Sequence, residues 1–592
     1  MPDLIYISNR LPKGELLADL QTQTGLESVR RDGTEFNGTW GTLATLSNHY
    51  HGLQWYEDEE RLAVVQGGPL VFLSDIAAEL PRHSDCRGTA AIVRAWKVTR
   101  TLDWTSDVSG PFVVFLVDKR RGLVEVVTDM MGLLPVYYAG LASPDKGVVV
   151  GTHLDLVAAV AGRSAQFDCA SVAEFVERDE VTYPYTLFKS VRQLPPAACI
   201  SIEPDLGTIR DNPYWVPSED DRPASIHQAA RELREHLGNY IENASKGAQR
   251  VAVFLSGGED ARAVLSMIPS AVERTCFTLV DQYNLEAQIA ERAARMCGAR
   301  WQLYERSAEY YCEQFEDGCR LVGSQHTPSE MHALGLSQRE DLAVFDAVFT
   351  GDWADTLLKG YFISTNSLCV GGLPVWRSSL AKGGLSETIS GVVESAVRDE
   401  ILQRRADHLS RLKSVRPLSA AEWYRFWPLS CFSATAFYQA NRRLCRVHEP
   451  FADAGVVKLA ARIPQEWKID RNVYRLAVGP AMGRVGLLPQ VAGWVPRFPW
   501  WLNVPAGLMV KCHRRGKRML GLVPNINHAA WPEWHKVVQT EAFHRLRRQY
   551  AHAFEALQPI FTRDCEGMFG TDRLALKQFW LLQVLRKVSE TL

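Results

Sequence analysis

Ten residues, Val251-Ala252-Val253-Phe254-Leu255-Ser256-Gly257-Gly258-Glu259-Asp260, constrain this chain more than any other stretch. They run an apolar β-segment straight into a Gly-Gly turn that ends in carboxylates. Two adjacent glycines carry no Cβ, so consecutive backbone N–H groups can converge on phosphate oxygens, aided by the dipole of a helix expected from about Ala261. Asp260 is then placed to hold the magnesium ion that travels with nucleotide phosphates. By itself Ser-Gly-Gly is more often an ordinary turn, so the reading depends on what surrounds it.

At 592 residues the chain exceeds a single core. Its 46% hydrophobic and 23% charged residues are those of a soluble globular protein. A net charge of -2 argues against a surface built for polyanions, so nucleic acid is not an expected partner. Arg10 arrives before any long apolar run, and no stretch approaches the roughly 20 apolar residues of a membrane span. The twelve cysteines form neither C-x-x-C pairs nor a Cys/His quartet. They fit reduced thiols in the cytoplasm.

The first 215 or so residues read as short β-runs. Pro111–Asp118 and Leu123–Thr128 flank a Lys119-Arg120-Arg121-Gly122 hairpin turn, within a sheet-rich α+β layer structure. Pro217–Ala224 is polar and proline-bracketed, which places the main boundary between units 1–216 and 225–592. Ser225-x-x-Gln228 reads as a capping box opening an amphipathic helix. Strands at 251–255 and 275–280 then alternate with helices, one of them over Glu286–Cys297, predicting a parallel sheet with its ligand at the strands' carboxyl ends. Beyond about 385 the chain reads as largely helical, with a basic run from Lys511 to Arg518 that is either a solvated face or an anion contact.

A second apolar strand enters Thr350-Gly351-Asp352-Trp353-Ala354-Asp355, with Lys359-Gly360-Tyr361 beyond. Together with Leu255–Asp260 this resembles the asparagine synthetase superfamily, whose ATP-pyrophosphatase domain carries L-S-G-G-x-D-S and G-[DE]-G-x-D-E-x-x-x-G-Y. Pro450-Phe451-Ala452-Asp453 and Ile463–Lys468 resemble later motifs of that family, in order. Thr128-Asp129-Met130-Met131-Gly132 through Tyr138, and Thr186–Pro196, resemble its glutaminase-type domain. The resemblance implies an α/β protein: an N-terminal-nucleophile-type α+β sandwich, then a PP-loop, adenine nucleotide α-hydrolase-like parallel-sheet domain with a helical C-terminal part.

It also implies roles. Ser256, Gly257 and Gly258 would cradle phosphates, Leu255, Leu279, Thr350 and Gly351 would lie against adenosine, and Asp260 and Asp355 would bind magnesium. Asp352 falls where the family places the group that deprotonates the attacking amine. Arg497 falls near a lysine that neutralises transition-state charge, in a more rigid, planar form. Three departures stand out: Ala261 replaces a hydroxyl residue, leaving Arg262 as the alternative donor to pyrophosphate; Trp353-Ala354 replaces a small pair; and Met1-Pro2-Asp3 carries no cysteine nucleophile, the first cysteine being Cys86. The glutamine-holding segments are reduced to Gln66–Val71 and Arg87–Ala90.

The expectation is therefore an ATP- and magnesium-dependent amide ligase without glutaminase activity, as in the β-lactam synthetase and lasso-peptide cyclase branches. It would act on small-molecule or peptide carboxylates and amines, and a homodimer or a biosynthetic partner protein is left open. The alternatives are a glutamine-hydrolysing asparagine synthase and a non-catalytic scaffold keeping the fold.

Overall fold

The computed structural model describes residues 3–26, 31–48, 54–73, 87–98, 101–141, 147–164, 166–203, 208–366, 369–370, 373–374, 378–381, 389, 392–429, 435–519, 527–562 and 575–591. Met1, Pro2 and Cys86 lie outside them.

The N-terminal half is two six-stranded antiparallel sheets face to face. The first runs in the order Arg192–Gln193, Tyr137–Gly140, Val148–Gly151, Asp3–Ile7, Gly41–Asn48, Arg31–Gly38. The second runs Thr208–Pro213, Ala198–Glu203, Leu123–Thr128, Phe112–Asp118, Arg61–Gly67, Gln54–Glu57. Alternation along the strands sets the layers. Leu4 and Tyr6 face Leu62, Val64 and Phe115 across the gap, whereas Ile5 and Ile7 pack outward on Leu16 and Leu20 of the helix Glu15–Thr24. The helix Arg87–Lys97 covers the second sheet's outer face through Ile92. The expected 112–128 hairpin is present, pairing Asp118 with Leu123.

Asp129, in the resembling Thr-Asp-Met-Met-Gly run, closes the turn that follows. Its buried carboxylate accepts the N–H groups of Met131, Leu133 and Leu134, while burial pushes its carboxyl up to about 6.

The second half is built on a five-stranded parallel sheet, ordered Arg300–Glu305, Glu273–Val280, Arg250–Phe254, Ala347–Phe349, Val447–His448. Both faces are covered, which explains the unbroken apolar run of the central strand. Val251 and Val253 pack on Leu237 and Ile241 of the helix Ile226–Ser245; Ala252 packs on the opposite face, in the core holding Phe315 and Phe579. Ser225 caps that first helix by accepting the Gln228 N–H at 3.2 Å, and the Gln228 side chain reaches back to the Ala224 N–H instead of that of Ser225. From Ser395 to Ser589 the described chain is almost wholly helical.

The halves interlock. Met130, Met131 and Leu133 belong to the second half's core. Buried ion pairs Arg443–Asp3, Arg404–Asp168 and Arg405–Glu174 cross the boundary. No helix among the described residues is long and apolar enough to cross a membrane.

Candidate active site

The strands Arg250–Phe254, Glu273–Val280 and Ala347–Phe349 end at one edge of the parallel sheet, over a cavity of about 470 Å³. Of the residues expected to form a site, Leu255, Ser256, Gly258, Asp260, Leu279, Thr350, Gly351, Asp352 and Asp355 line it. Parallel pairing is what unites them: the 254–260 turn and the 350–355 turn follow neighbouring strands that point the same way.

The glycines are required by close approach. A Cβ on Gly351 would lie 2.3 Å from the Ala261 nitrogen and 2.6 Å from the Asp260 carbonyl carbon, so the two turns touch backbone to backbone. The helix Glu259–Met267 starts at Gly258 without a side-chain cap, which leaves first-turn amides facing the cavity. The Gly257 N–H, however, is donated to Glu286 at 2.8 Å, and the Gly258 N–H to the Ser256 hydroxyl at 3.0 Å. In this structure those two amides are satisfied from within the protein.

Two expectations are corrected. Arg262 does not face the cavity: its guanidinium is buried beneath the turn, donating to the carbonyls of Gly257, Gly258 and Leu488. With its donors directed at backbone oxygen, it braces the turn and is no phosphate ligand. Arg497 is exposed and outside the cavity, with Nη1 donating to the Gly483 carbonyl at 3.2 Å and its stem packed on Gly486. Val485 and Leu488 still lie against the turn through Arg262, but the charge that the resemblance placed near the chemistry is outside the cavity lining. The described part of the 511–518 basic run lies in the helix Trp500–Met519 and also stays off the cavity.

Asp352 lies in the cavity wall, its Oδ2 without a hydrogen-bond partner. Burial pushes its carboxyl up to about 7, and repulsion from Glu449 adds to that effect. Glu449 is buried and clamped by Arg442, whose Nε and Nη2 reach it at 2.8 and 2.6 Å. The same carboxylate accepts the Trp353 indole N–H at 3.0 Å.

Trp353 has φ +74°, left-handed backbone, at the place where the resembling motif carries glycine. A bulky residue holds that conformation only under constraint. Here the constraint is the Glu449 bond together with the Tyr438 ring, 3.9 Å away centroid to centroid. Both rings line the cavity beside Asp352.

Asp260 and Asp355 do come together, on the ammonium of Lys359. Its Nζ is 2.8 Å from Asp260, 2.7 Å from Asp355 and 3.2 Å from Glu259. The two contacting oxygens are therefore separated by no more than the sum of the first two distances. Magnesium bound by the two oxygens that now face Lys359, at about 2.1 Å from each, would compete with this ammonium, while Asp260 Oδ1 is buried without a hydrogen-bond partner. Among the described residues no group of three or more His, Cys, Asp or Glu side chains is arranged for a metal. With the ammonium seated between the two acids, the arrangement does not fit magnesium. The cavity lining could take an adenine nucleotide: apolar Leu255 and Leu279 share the cavity with a helix start that has no side-chain cap, although the Gly257 and Gly258 amides are already engaged.

Sequence reasoning missed Lys359, Glu286, and the Glu449–Arg442 pair. Lys359 carried a signal, standing four residues after Asp355 where ion pairs form. Glu286 is brought in by the helix Leu285–Met296, and Glu449 follows the strand Val447–His448 that pairs with Ala347–Phe349, a neighbour that local pattern did not reveal. Arg306 and His332 also line the cavity, likewise unanticipated. His332 Nδ1 lies 2.6 Å from the Tyr311 hydroxyl and 3.2 Å from Arg306 Nη1.

Fold and cavity define a class: an antiparallel αββα sandwich joined to a parallel-sheet unit with a nucleotide-type site at its strand ends. Family models agree, a glutamine amidotransferase domain matching residues 42–215 and asparagine synthase matching 232–499. The chain belongs to the asparagine synthetase superfamily. Two curated relatives are an amidase, chry2, of Gibberella zeae, 23% identical over 389 residues, covering 58% of this chain and 55% of that one, and an amidase, chyE, of Penicillium rubens, 23% identical over 304 residues, covering 47% and 43%. The chain thus spans about half the length of the curated relatives it matches. Solved structures titled as the allosteric regulatory enzyme of purine biosynthesis and the glutamine phosphoribosylpyrophosphate amidotransferase from B. subtilis align at TM-scores of 0.25 and 0.24, with 8% and 10% identity. Each covers 51% of this chain, and 80% and 65% of its own chain; at those scores neither carries an argument.

Proposed function

We propose that this protein is an ATP-dependent amide ligase that forms AMP and pyrophosphate. A substrate carboxylate attacks the α-phosphate of ATP, giving an acyl-adenylate, and an amine then displaces AMP. The observation that carries this reading is the convergence of the Ser256–Asp260 turn and Asp352 on one cavity at the strand ends. First-turn amides of the helix Glu259–Met267 would receive phosphate oxygens. Asp352, with a carboxyl near neutrality and a free Oδ2, would take the proton from the attacking nitrogen. Trp353 and Tyr438 would exclude the water that otherwise hydrolyses the adenylate.

The nitrogen would come from ammonia, a separate amine, or an amine of the substrate itself, without glutaminase chemistry. In support, Asp3 at the start of its strand is buried and held by Arg443 at 2.8 Å and by the Gln66 side chain, which donates to its carbonyl. A Cβ on Gly88 would lie 1.6 Å from the Pro69 carbonyl oxygen, so the two segments that resemble the glutamine-holding ones touch each other.

The test is carboxylate-dependent exchange of labelled pyrophosphate into ATP across a panel of acids, with amide product measured in parallel. Absence of exchange with every acid, in protein that binds ATP, would reject the ligase. A non-catalytic nucleotide-fold protein is the second reading, favoured by the internal partners Glu286 and Lys359 already satisfying the turn and the acids.

A further inference from the structure

Lys359 follows the short helix Ala354–Leu358, and the chain reverses at Gly360, φ +73°, which carries the lysine inward. Its side chain is 6% exposed and lies 4.9 Å over the Tyr474 ring. Three carboxylates, Glu259, Asp260 and Asp355, surround the ammonium within 3.2 Å. Arg471 reaches Glu259 at 2.7 Å from the other side. Three formal negative charges thus face two positive ones. The surplus is one charge, and the position between the two acids nearest the cavity is already taken.

A divalent ion taking the two oxygens that now hold Lys359 would have to displace the ammonium. The lysine would then lie beside a dication within a buried wall, where like charges a few ångströms apart repel strongly. Magnesium also demands near-octahedral oxygen at about 2.1 Å, whereas these oxygens are spaced for N–H donors.

We propose that Lys359 is the resident cation of this acidic pair, so that the free protein takes up no divalent ion at Asp260 and Asp355 and binds a nucleoside triphosphate with little dependence on one. The second half of that statement rests on the nucleotide reading above; the first does not. The ammonium cancels charge that would otherwise repel phosphate, and the uncapped helix start supplies the donors.

The experiment uses the full chain and Mn²⁺ as a paramagnetic probe, with no nucleotide present. Wild type should leave the free Mn²⁺ signal unchanged, as should Lys359→Arg, which keeps the charge. Lys359→Met should bind one Mn²⁺ per chain, and adding Asp355→Asn should abolish that site. A Mn²⁺ site in wild type that Asp355→Asn removes would overturn the proposal, and so would a folded Lys359→Met that gains none. If Lys359→Met does not fold, wild type against Asp355→Asn decides.

A second arm titrates ATP by calorimetry in excess magnesium and in EDTA. Wild-type affinity should change by less than about threefold and that of Lys359→Met by about tenfold or more. A wild type that binds ATP only with magnesium overturns the proposal. One that binds ATP in neither buffer removes the ligase reading and leaves the Mn²⁺ result to judge Lys359.

Discussion

Replacing Trp353 should reverse the usual order of glycine and alanine. At an ordinary position glycine destabilises by about 0.5–1 kcal/mol relative to alanine, because it surrenders more backbone freedom. At φ +74° any side chain with a Cβ is strained by roughly 1–2 kcal/mol, which glycine escapes. Both substitutions lose the same ring: its burial against Tyr438 and its hydrogen bond to Glu449, together about 3–5 kcal/mol for a buried tryptophan. The difference between the variants isolates the backbone, and Trp353→Gly should be the more stable by about 1 kcal/mol once its extra unfolded-state entropy is subtracted. Urea unfolding followed by far-UV circular dichroism would give the two midpoints. Trp423 is the control, since it is fully buried and ends an ordinary helix, Ala420–Trp423; there the alanine variant should be the more stable. A Trp353→Ala protein as stable as Trp353→Gly would refute the argument that packing holds this residue in a glycine conformation.

Asp352→Asn should keep pyrophosphate exchange and lose amide product; loss of exchange with retained ATP binding would assign Asp352 to adenylation instead. Amide formation by wild type should rise with pH through a midpoint near 7, as burial and Glu449 set it, and Trp353→Gly, by admitting water, should move that midpoint down. A carboxyl raised from 3.8 to about 7 binds its proton more tightly in the folded state, so its contribution to stability falls as pH climbs through that window. Asp352→Asn should therefore gain stability over wild type above pH 7 and not at pH 4, as paired melting curves would show. Arg442→Met leaves Glu449 buried and unpaired, and should cost about 3–5 kcal/mol, visible as a lowered urea midpoint. Purified protein should release no glutamate from glutamine above a blank; release would restore glutaminase chemistry to the N-terminal half.

Local pattern made much of the architecture legible before any coordinates. The 112–128 hairpin, the Ser225 cap, the alternation of strands and helices after residue 250 and the helical C-terminal part all follow from periodicity and turn chemistry, which act between near neighbours. The two acid-bearing turns were visible for the same reason: each is a strand followed at once by glycine and carboxylates. Because parallel strands must end together, their meeting at one edge was implied as well.

What sequence spacing could not decide is where long side chains send their charge. Arg262 was expected as a donor to pyrophosphate and Arg497, by resemblance, as a cation near the transition state, yet one is spent on carbonyls beneath the turn and the other lies on the surface. Lys359, given no role from the sequence, is the ion between Asp260 and Asp355. Burial, with repulsion from Glu449 97 residues further on, raises the proton affinity of Asp352. An arginine or lysine has several rotatable bonds between backbone and charge, so its partner is chosen by whichever buried carboxylates and carbonyls the packed core leaves in reach. The chain by itself determined the strands, the turns and the acids at their ends; only the tertiary structure decided which cations answer them.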